Sequence, residues 1–168
     1  MHNGSCHFRP LELTSDLDRV VDFYADAPDY WEMAEGSPPG LEKAKEFFED
    51  IPSKCNPEEI HRLGFFLGER LSGIADLFFD FPDDGDAYIG LMMLGPWARN
   101  KGSGKIFLNH LEGLARAGKA KNLYIAVMTI NPKGRAFWER EGFLATGLSG
   151  MSVVGDHQQE LHRLLKPL

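Results

Sequence analysis

Two basic residues and two glycines lie close together in one short segment, Arg99–Gly104 (RNKGSG), which Lys105 follows. The segment lies between an apolar run that ends at Leu94 and a run with helical spacing. The first amides of a helix lack intrahelical partners, and the helix dipole adds partial positive charge there. Glycines without a Cβ let an anion approach the backbone. The segment therefore predicts an anion site of the pyrophosphate type, to which the side chains of Arg99, Lys101 and Lys105 add full charges.

Two other phosphate-binding loops do not fit this segment. A Walker A loop would need Gly where Arg99 stands and Ser or Thr where Ile106 stands. The dinucleotide pattern GxGxxG would need Gly where Phe107 stands. The segment alone still leaves open a helix start whose glycines only serve packing.

Composition limits the classes of partner. The 168 residues carry a formal net charge of −7, which disfavours nucleic acid because a phosphate backbone requires a basic face. No stretch approaches the roughly 20 apolar residues of a membrane span, and Met1–Gly4 does not begin a signal peptide. We therefore expect a cytoplasmic protein with no membrane partner.

Metal chemistry has no support in the sequence. Cys6 and Cys55 lack CxxC spacing, and the histidines form no HxxxH or HExxH pair. We expect free thiols and no metal ion.

Periodicity and turn residues predict the elements that must position the anion site. Helices are predicted after a cap at Thr14 or Ser15, over 41–51, over about 102–117 and over 132–141. Strands are predicted over 8–13, 62–68, 71–81, 87–94, 123–129, 144–154 and 159–166, the last with a helical alternative. Glu69 and Arg70 form the predicted turn of the first hairpin, and 87–94 is expected to be buried on both faces. This order predicts an α/β (α+β) fold, a mixed sheet of about six to seven strands flanked by about four helices.

Two motifs resemble those of one protein family. The run 90–104 (GLMMLGPWARNKGSG) resembles motif A of the GNAT N-acetyltransferases, a strand followed by R/Q-x-x-G-x-G/A and a helix. The run 131–143 (NPKGRAFWEREGF) resembles their motif B, in which an Asn precedes a helix and a Gly-Phe pair. The separation of the motifs and the element order also match, so the resemblance covers essentially the whole chain. It implies a single N-acetyltransferase domain over 1–168.

The resemblance implies acetyl-CoA as co-substrate and a set of residues that hold it. The pyrophosphate would lie on the backbone of the loop, and the pantetheine would pair with the fourth strand, beside which Asn131 would touch it. Asn131 is equally well explained as the cap of the helix after Pro132. The implied cofactor-binding residues are Met92, Met93, Leu94, Arg99, Asn100, Lys101, Gly102, Ser103, Gly104, Lys105, Asn131 and Trp138.

The chemistry implied by the resemblance is direct attack of a neutral amine on the thioester. An amide near Leu94 would stabilise the oxyanion, and Asp76 and Tyr88 are candidate proton-transfer groups beside the cleft. Glu32 and Glu35, in the loop between the first two helices, are weaker candidates for the base. Tyr30 and Trp31 in that loop would form an aromatic wall for the acceptor or belong to the core.

One position departs from the family pattern. Motif B usually carries a Tyr that serves as the general acid, and here Phe137-Trp138 stands in its place. An indole N–H is not a useful acid. Three readings stay open: the thiolate leaves unaided, another hydroxyl such as that of Tyr88 or Tyr30 serves, or the protein binds acyl-CoA without efficient catalysis.

The function expected from the resemblance is acetyl transfer from acetyl-CoA to a primary amine of a small molecule or peptide. The alternative is a non-catalytic acyl-CoA-binding regulatory module, which Trp138 favours. Dimers are common in the family, so a homodimer is also expected.

Overall fold

The computed structural model describes residues 5–168, which form one seven-stranded sheet in the order β1-β2-β3-β4-β5-β7-β6. The strands are β1 (Cys6–Pro10), β2 (His61–Leu67), β3 (Arg70–Phe79), β4 (Asp86–Leu94), β5 (Asn122–Met128), β6 (Leu144–Val154) and β7 (His157–Pro167). The helices are α1 (Leu13–Asp26), α2 (Asp29–Glu35), α3 (Leu41–Glu49), α4 (Ser103–Ala117) and α5 (Pro132–Arg140). The expectation about a signal peptide concerns Met1–Gly4, which lies outside the described residues.

The mixed sheet expected from the sequence is confirmed, because β4 and β5 pair in parallel and the other neighbouring strands pair antiparallel. The helical alternative for the last segment is wrong, since β7 pairs with both β5 and β6.

A helix absent from the sequence prediction, α2, replaces part of the predicted loop. Pro28 stands at the helix N-cap, and Gly36 ends the helix with φ of 81°. The described residues therefore contain five α-helices, one more than expected.

Two smaller predictions are corrected by local geometry. The β2–β3 turn is Gly68-Glu69, one residue earlier than expected, because Gly68 supplies the left-handed φ of 59°. The start of α1 is not capped by Thr14 or Ser15: its N-cap is Glu12, whose amide donates to the Asp16 carboxylate.

Each face of the sheet packs against helices. On one face Phe107, Leu108 and Leu111 of α4 join Trp138 of α5 over the alternate residues of β2 to β5. On the other face Val20, Phe23 and Tyr24 of α1 and Phe47 and Phe48 of α3 pack against residues of β2 to β4. Alternation along a strand therefore decides which helices a side chain meets.

The two central parallel strands separate halfway along their length. β4 and β5 pair only over Asp86–Tyr88 and Asn122–Tyr124, while β5 continues to pair with β7 as far as Met128. The β3–β4 register also shifts between the Asp76–Leu91 and Phe78–Tyr88 pairs, so β4 carries an extra residue there. The second half of β4 is partly exposed, which corrects the expectation of burial on both faces, because it borders the space between the separated strands.

None of the helices in the described range 5–168 combines the length and apolar composition that crossing a bilayer would require.

Candidate functional site

The space between the separated strands is a cavity of about 900 Å³. Its walls come from the second halves of β4 and β5, the loop before α4, one side of α5 and the first turns of α2. Of the residues predicted to bind the cofactor, those that line it are Met92, Met93, Leu94, Arg99, Asn100, Gly102, Gly104, Lys105, Asn131 and Trp138. Motifs A and B, distant in sequence, therefore face each other across one cavity.

The start of α4 presents free backbone donors to this cavity. The helix begins with the bond from the Ile106 amide to the Gly102 carbonyl, so the amides of 103–105 precede its first hydrogen bond. Asn100 and Gly102 have left-handed φ of 59° and 82°. Such residues turn the chain so that successive amides form an anion-binding concavity.

Positive side chains concentrate around the cavity although the protein is acidic. Lys105, Lys133 and Arg140 line it together with Arg99, against the carboxylates of Asp29 and Glu141. Such a local excess attracts an anionic ligand despite the net charge of −7. Two of the predicted cofactor-binding residues, Lys101 and Ser103, do not line the cavity. The side chain of Lys101 is exposed, and Ser103 is buried, with only 7% exposed.

The side chain of Arg99 does not point at the loop amides. Its Nε and Nη2 donate to the Leu94 carbonyl at 3.1 and 2.8 Å, and its guanidinium forms a paired bond with the Asp29 carboxylate. The Arg99 guanidinium holds the pKa of Asp29 below its usual range. Arg99 therefore joins the end of β4 to the start of α2, while it also lines the cavity.

The edge of β4 that faces the cavity has unpaired backbone groups. The Gly95 amide donates to the Ser72 carbonyl on the β3 side. Because antiparallel pairing alternates, the amides of Leu94 and Met92 point away from β3, towards the space that β5 leaves. Met92 and Leu94 thus offer the strand edge that the sequence prediction required.

Asn131 and Trp138 occupy defined positions on α5. The Asn131 Oδ1 accepts from the Gly134 amide at 3.0 Å, so the capping role is confirmed, and the residue also lines the cavity. Trp138 is 9% exposed and packs edge-on against Phe137 and Phe143. Its indole belongs to the core as well as to the cavity wall.

Asp76 lies on the opposite face of the sheet from α4 and α5, at the irregularity between β3 and β4. Its Oδ1 accepts from the amides of Gly90 and Leu91 at 2.8 and 3.0 Å. Burial raises the pKa of Asp76 to about 6, although the two amides and Arg62 act in the other direction. A carboxylate with this pKa can accept a proton near neutral pH.

The other proposed side chains separate into two groups. Tyr30 and Met33 of α2 line the cavity, and burial raises the pKa of Tyr30 to about 12. Tyr88 does not line the cavity: it stacks on Phe78 on the Asp76 face, and burial raises its pKa.

The weaker candidates on α2 are placed as follows. Glu32 is exposed, and Glu35 forms an ion pair with Lys43. Trp31 packs edge-on against Tyr24 and Tyr30 and belongs to the packing around α1.

Residues 5–168 hold no group of three or more His, Cys, Asp or Glu side chains arranged to bind a metal ion.

Sequence reasoning missed several residues around the site. Lys133 and Arg140 are seven positions apart after Asn131, and helical spacing could have placed both on one side of α5. Asp29 and Arg163 gave no signal, because each acquires its neighbours only through tertiary contacts.

Comparisons with known proteins agree with this geometry. Residues 20–143 match the family model described as "Acetyltransferase (GNAT) family". The fold is similar to the crystal structure of an acetyltransferase from Thermus thermophilus, with a TM-score of 0.82 and 21% identity over 100% of both chains. It is also similar to an acetyltransferase of the GNAT family from Streptococcus pneumoniae, with a TM-score of 0.69 and 19% identity over 98% of this chain and 100% of that one.

A third similar structure is the ribosomal-protein-S18-alanine N-acetyltransferase from Escherichia coli, with a TM-score of 0.67 and 14% identity over 97% of this chain and 94% of that one. The chain matches no curated protein sequence.

Proposed function

The chain belongs to the GNAT acetyltransferase family, and from this premise we propose that it transfers the acetyl group of acetyl-CoA to a primary amine of a small molecule or peptide, by direct attack in a ternary complex. The observation that carries the proposal is the cavity between β4 and β5. The predicted phosphate-binding groups lie at one end of it. The raised-pKa carboxylate of Asp76, on the neighbouring strand β3, is outside the cavity lining and lies on the opposite face of the sheet from α4 and α5.

The residues around the cavity fit acetyl-CoA as co-substrate. The amides of Gly104 and Lys105 would hold the pyrophosphate, with Lys133 and Arg140 supplying further positive charge. The edge of β4 at Met92 and Leu94 would pair with the two amides of the pantetheine arm. When bound, acetyl-CoA supplies the activated acyl group as a thioester.

We assign Asp76 as the general base. Its carboxylate takes the proton that the acceptor amine must lose, directly or through a water molecule. The two backbone bonds from Gly90 and Leu91 fix the orientation of the carboxyl group. The Leu94 amide is assigned to the developing negative charge on the carbonyl oxygen.

For the leaving thiolate, Tyr30 is a better-placed donor than Tyr88, because Tyr30 lines the cavity and Tyr88 does not. The Tyr30 hydroxyl remains protonated at neutral pH, since its pKa is raised to about 12. A thiol of pKa ~8.5 also leaves reasonably well unaided, so the acid is a minor contribution.

The experiment that tests the proposal measures CoA release with acetyl-CoA and a panel of amino acids, polyamines, aminoglycosides and peptides. We expect turnover with at least one amine, and mass spectrometry should show the product heavier by one acetyl group. Tight acetyl-CoA binding without turnover on any amine would instead support the non-catalytic module, which Trp138 in motif B favours.

The cytoplasmic location, the single domain over 1–168, the homodimer and the absence of nucleic-acid and membrane partners stay predictions from the sequence.

A further inference from the structure

Arg163 stands on the same face of the sheet as Asp76. Its neighbour on β7, Leu164, packs into the core with α4, so alternation turns Arg163 to the other face. Its guanidinium lies 5.6 Å from the ring centroids of both Phe81 and Tyr88. The side chain is partly exposed, and the Tyr88 hydroxyl is a hydrogen-bond neighbour of its guanidinium. The donors that are not used there can reach a ligand while the rings hold the side chain in position.

Most charged groups around this face have a polar partner, including Arg62, which donates to the backbone carbonyls of Phe47 and Asp50. Asp29 pairs with Arg99, and Glu35 pairs with Lys43. Asp76 is held by two backbone amides and lies opposite Arg62 in the strand register. Within residues 5–168, Arg163 has no carboxylate at ion-pair distance. Its positive charge is therefore available to a ligand that binds on this face.

A part of the sheet surface that no helix covers lies between Asp76 and Arg163. We call this surface, at Gly90 and Ala126, the floor. Gly90 is exposed although it stands in the central strand β4, and its amide binds Asp76. Ala126 is exposed in the next strand, β5, and is paired in register with Arg163. Exposed small residues in the middle of a sheet mean that no helix covers it there. The floor therefore has the proton acceptor at one end and the cation at the other.

Apolar and aromatic groups surround this floor. Phe78 and Tyr88 stack beside it with ring centroids 5.3 Å apart, and Phe81 packs edge-on against Tyr88. The ligand that fits has an apolar body, a proton to give up at the Asp76 end and a negative charge at the Arg163 end.

We propose that Arg163 binds a carboxylate of the acceptor, so that the acceptor is a small amino acid-like molecule that carries a primary amine, a carboxylate and an apolar side chain. This inference rests on the proposed acetyl transfer. A guanidinium suits the role because its planar fork donates two parallel hydrogen bonds to a carboxylate, which the ammonium of a lysine does not do.

The test compares pairs of amines that differ only in the carboxylate: leucine with 3-methylbutylamine, methionine with 3-(methylthio)propylamine, and phenylalanine with 2-phenylethylamine. In the wild type we expect at least one amino acid to exceed its decarboxylated partner in kcat/KM by about 10- to 100-fold, the range of a charge-assisted hydrogen-bond pair.

In Arg163→Met the preference should disappear through a higher KM for the amino acid, with kcat nearly unchanged and the decarboxylated amine unaffected. Arg163→Lys should retain part of the preference. Arg19→Met, on the exposed side of α1, should behave as the wild type. Acetyl-CoA affinity and melting temperature should be equal in all variants, which excludes a folding defect.

A binding measurement separates failure of the inference from failure of the proposed function. Calorimetry of N-acetyl-leucine and of N-(3-methylbutyl)acetamide with the CoA-saturated protein needs no turnover. Binding of N-acetyl-leucine that Arg163→Met abolishes would uphold the carboxylate site even if no amine reacted. Turnover or binding that favours the decarboxylated member, or a preference that survives in Arg163→Met, would overturn the inference.

Discussion

Asp76 is the residue whose surroundings best support a role in proton transfer. Its carboxylate is removed from bulk water by the packing around β3 and β4, which disfavours the charged form, and burial is the larger effect on its pKa of about 6. The hydrogen bonds from the amides of Gly90 and Leu91 stabilise the ionised carboxylate and limit the rise of its pKa. With a pKa of about 6 the group is mostly ionised at neutral pH, as the proposed general base must be before it takes the amine's proton.

We predict that Asp76→Asn lowers kcat by about 10²- to 10⁴-fold, the usual contribution of a positioned base. The asparagine oxygen can still accept from Gly90 and Leu91, so the strands should stay in place. In the wild type kcat should fall as the pH drops through about 6, because the base becomes protonated. This limb of the pH profile should be absent in the variant.

The control for this prediction is Asp50→Asn, which removes a neighbouring carboxylate that raises the pKa of Asp76. It should keep its activity and shift the limb slightly to lower pH. An unchanged limb in Asp76→Asn would refute the assignment of the base.

The same pKa has a consequence for stability. Because folding raises the pKa of Asp76 from 3.8 to about 6, the folded state binds the proton more tightly than the unfolded chain. The contribution of this group to the free energy of unfolding is therefore fully present below about pH 4 and is lost as the pH rises through about 6. Denaturant titrations should show this decline in the wild type and a weaker one in Asp76→Asn.

Trp138 combines a place in the core with the position of the family's usual acid. We predict that Trp138→Tyr lowers the free energy of unfolding by about 1–3 kcal/mol, because the smaller ring leaves space beside Phe143. Turnover should stay equal or rise. Trp138→Phe is the matched control, since it loses the indole without gaining a hydroxyl. A rise in kcat in Trp138→Tyr but not in Trp138→Phe would show that the hydroxyl protonates the thiolate.

At the scale of elements, the start of α4 is the predicted site of cofactor binding. Its three leading amides lack intrahelical partners, as at any helix start, and Gly102 turns the chain into the helix with a left-handed φ of 82° at the N-cap. A Cβ at Gly102 would meet no atom within 4 Å, so a side chain there projects into open space at the mouth of the site.

We predict that Gly102→Glu abolishes acetyl-CoA binding in calorimetry, because a carboxylate would stand where the pyrophosphate binds. Gly113→Glu is the control: Gly113 is exposed in the same helix with nothing within 4 Å of its Cβ. Gly102→Asn, which tolerates the left-handed conformation, separates backbone strain from charge and should lose much less affinity. Wild-type affinity in Gly102→Glu would contradict the loop assignment.

The elements show where sequence patterns succeed. The bounds of α4 and α5 came within a residue or two, because their apolar periodicity and flanking Gly and Pro are local signals. The seven-residue helix α2 was missed because its burial depends on contacts with distant segments, such as the bond from the Gln159 side chain to the Ala34 carbonyl.

At the scale of the whole molecule, β6 is an edge strand with an exposed apolar surface. Leu144, Leu148, Met151 and Val153 are 60–69% exposed. Apolar groups on an unpaired edge are a site for association, and a second copy of the chain is the partner that the expected homodimer would supply.

We predict a dimer in light scattering that Met151→Lys combined with Val153→Lys converts to a monomer, because a buried ammonium without a partner is costly. Ile51→Lys, which also replaces an exposed apolar residue, should leave the mass unchanged. A monomeric wild type at all concentrations would refute the homodimer.

The sequence by itself determined the order of the strands and of the helices other than α2, the helix start after Arg99–Gly104 that is predicted to bind an anion and, through motifs A and B, the family. These are local properties: propensities, turn residues and short spacings act within a few positions of the chain. Tertiary structure alone decided that the Arg99 guanidinium binds the Leu94 carbonyl and the Asp29 carboxylate, and that burial raises the pKa of Asp76 to about 6. It also decided that Arg163 lies on the same face of the sheet as Asp76. A hydrogen-bond partner, a degree of burial and an unpaired charge all depend on residues far apart in sequence, which only the folded sheet brings together.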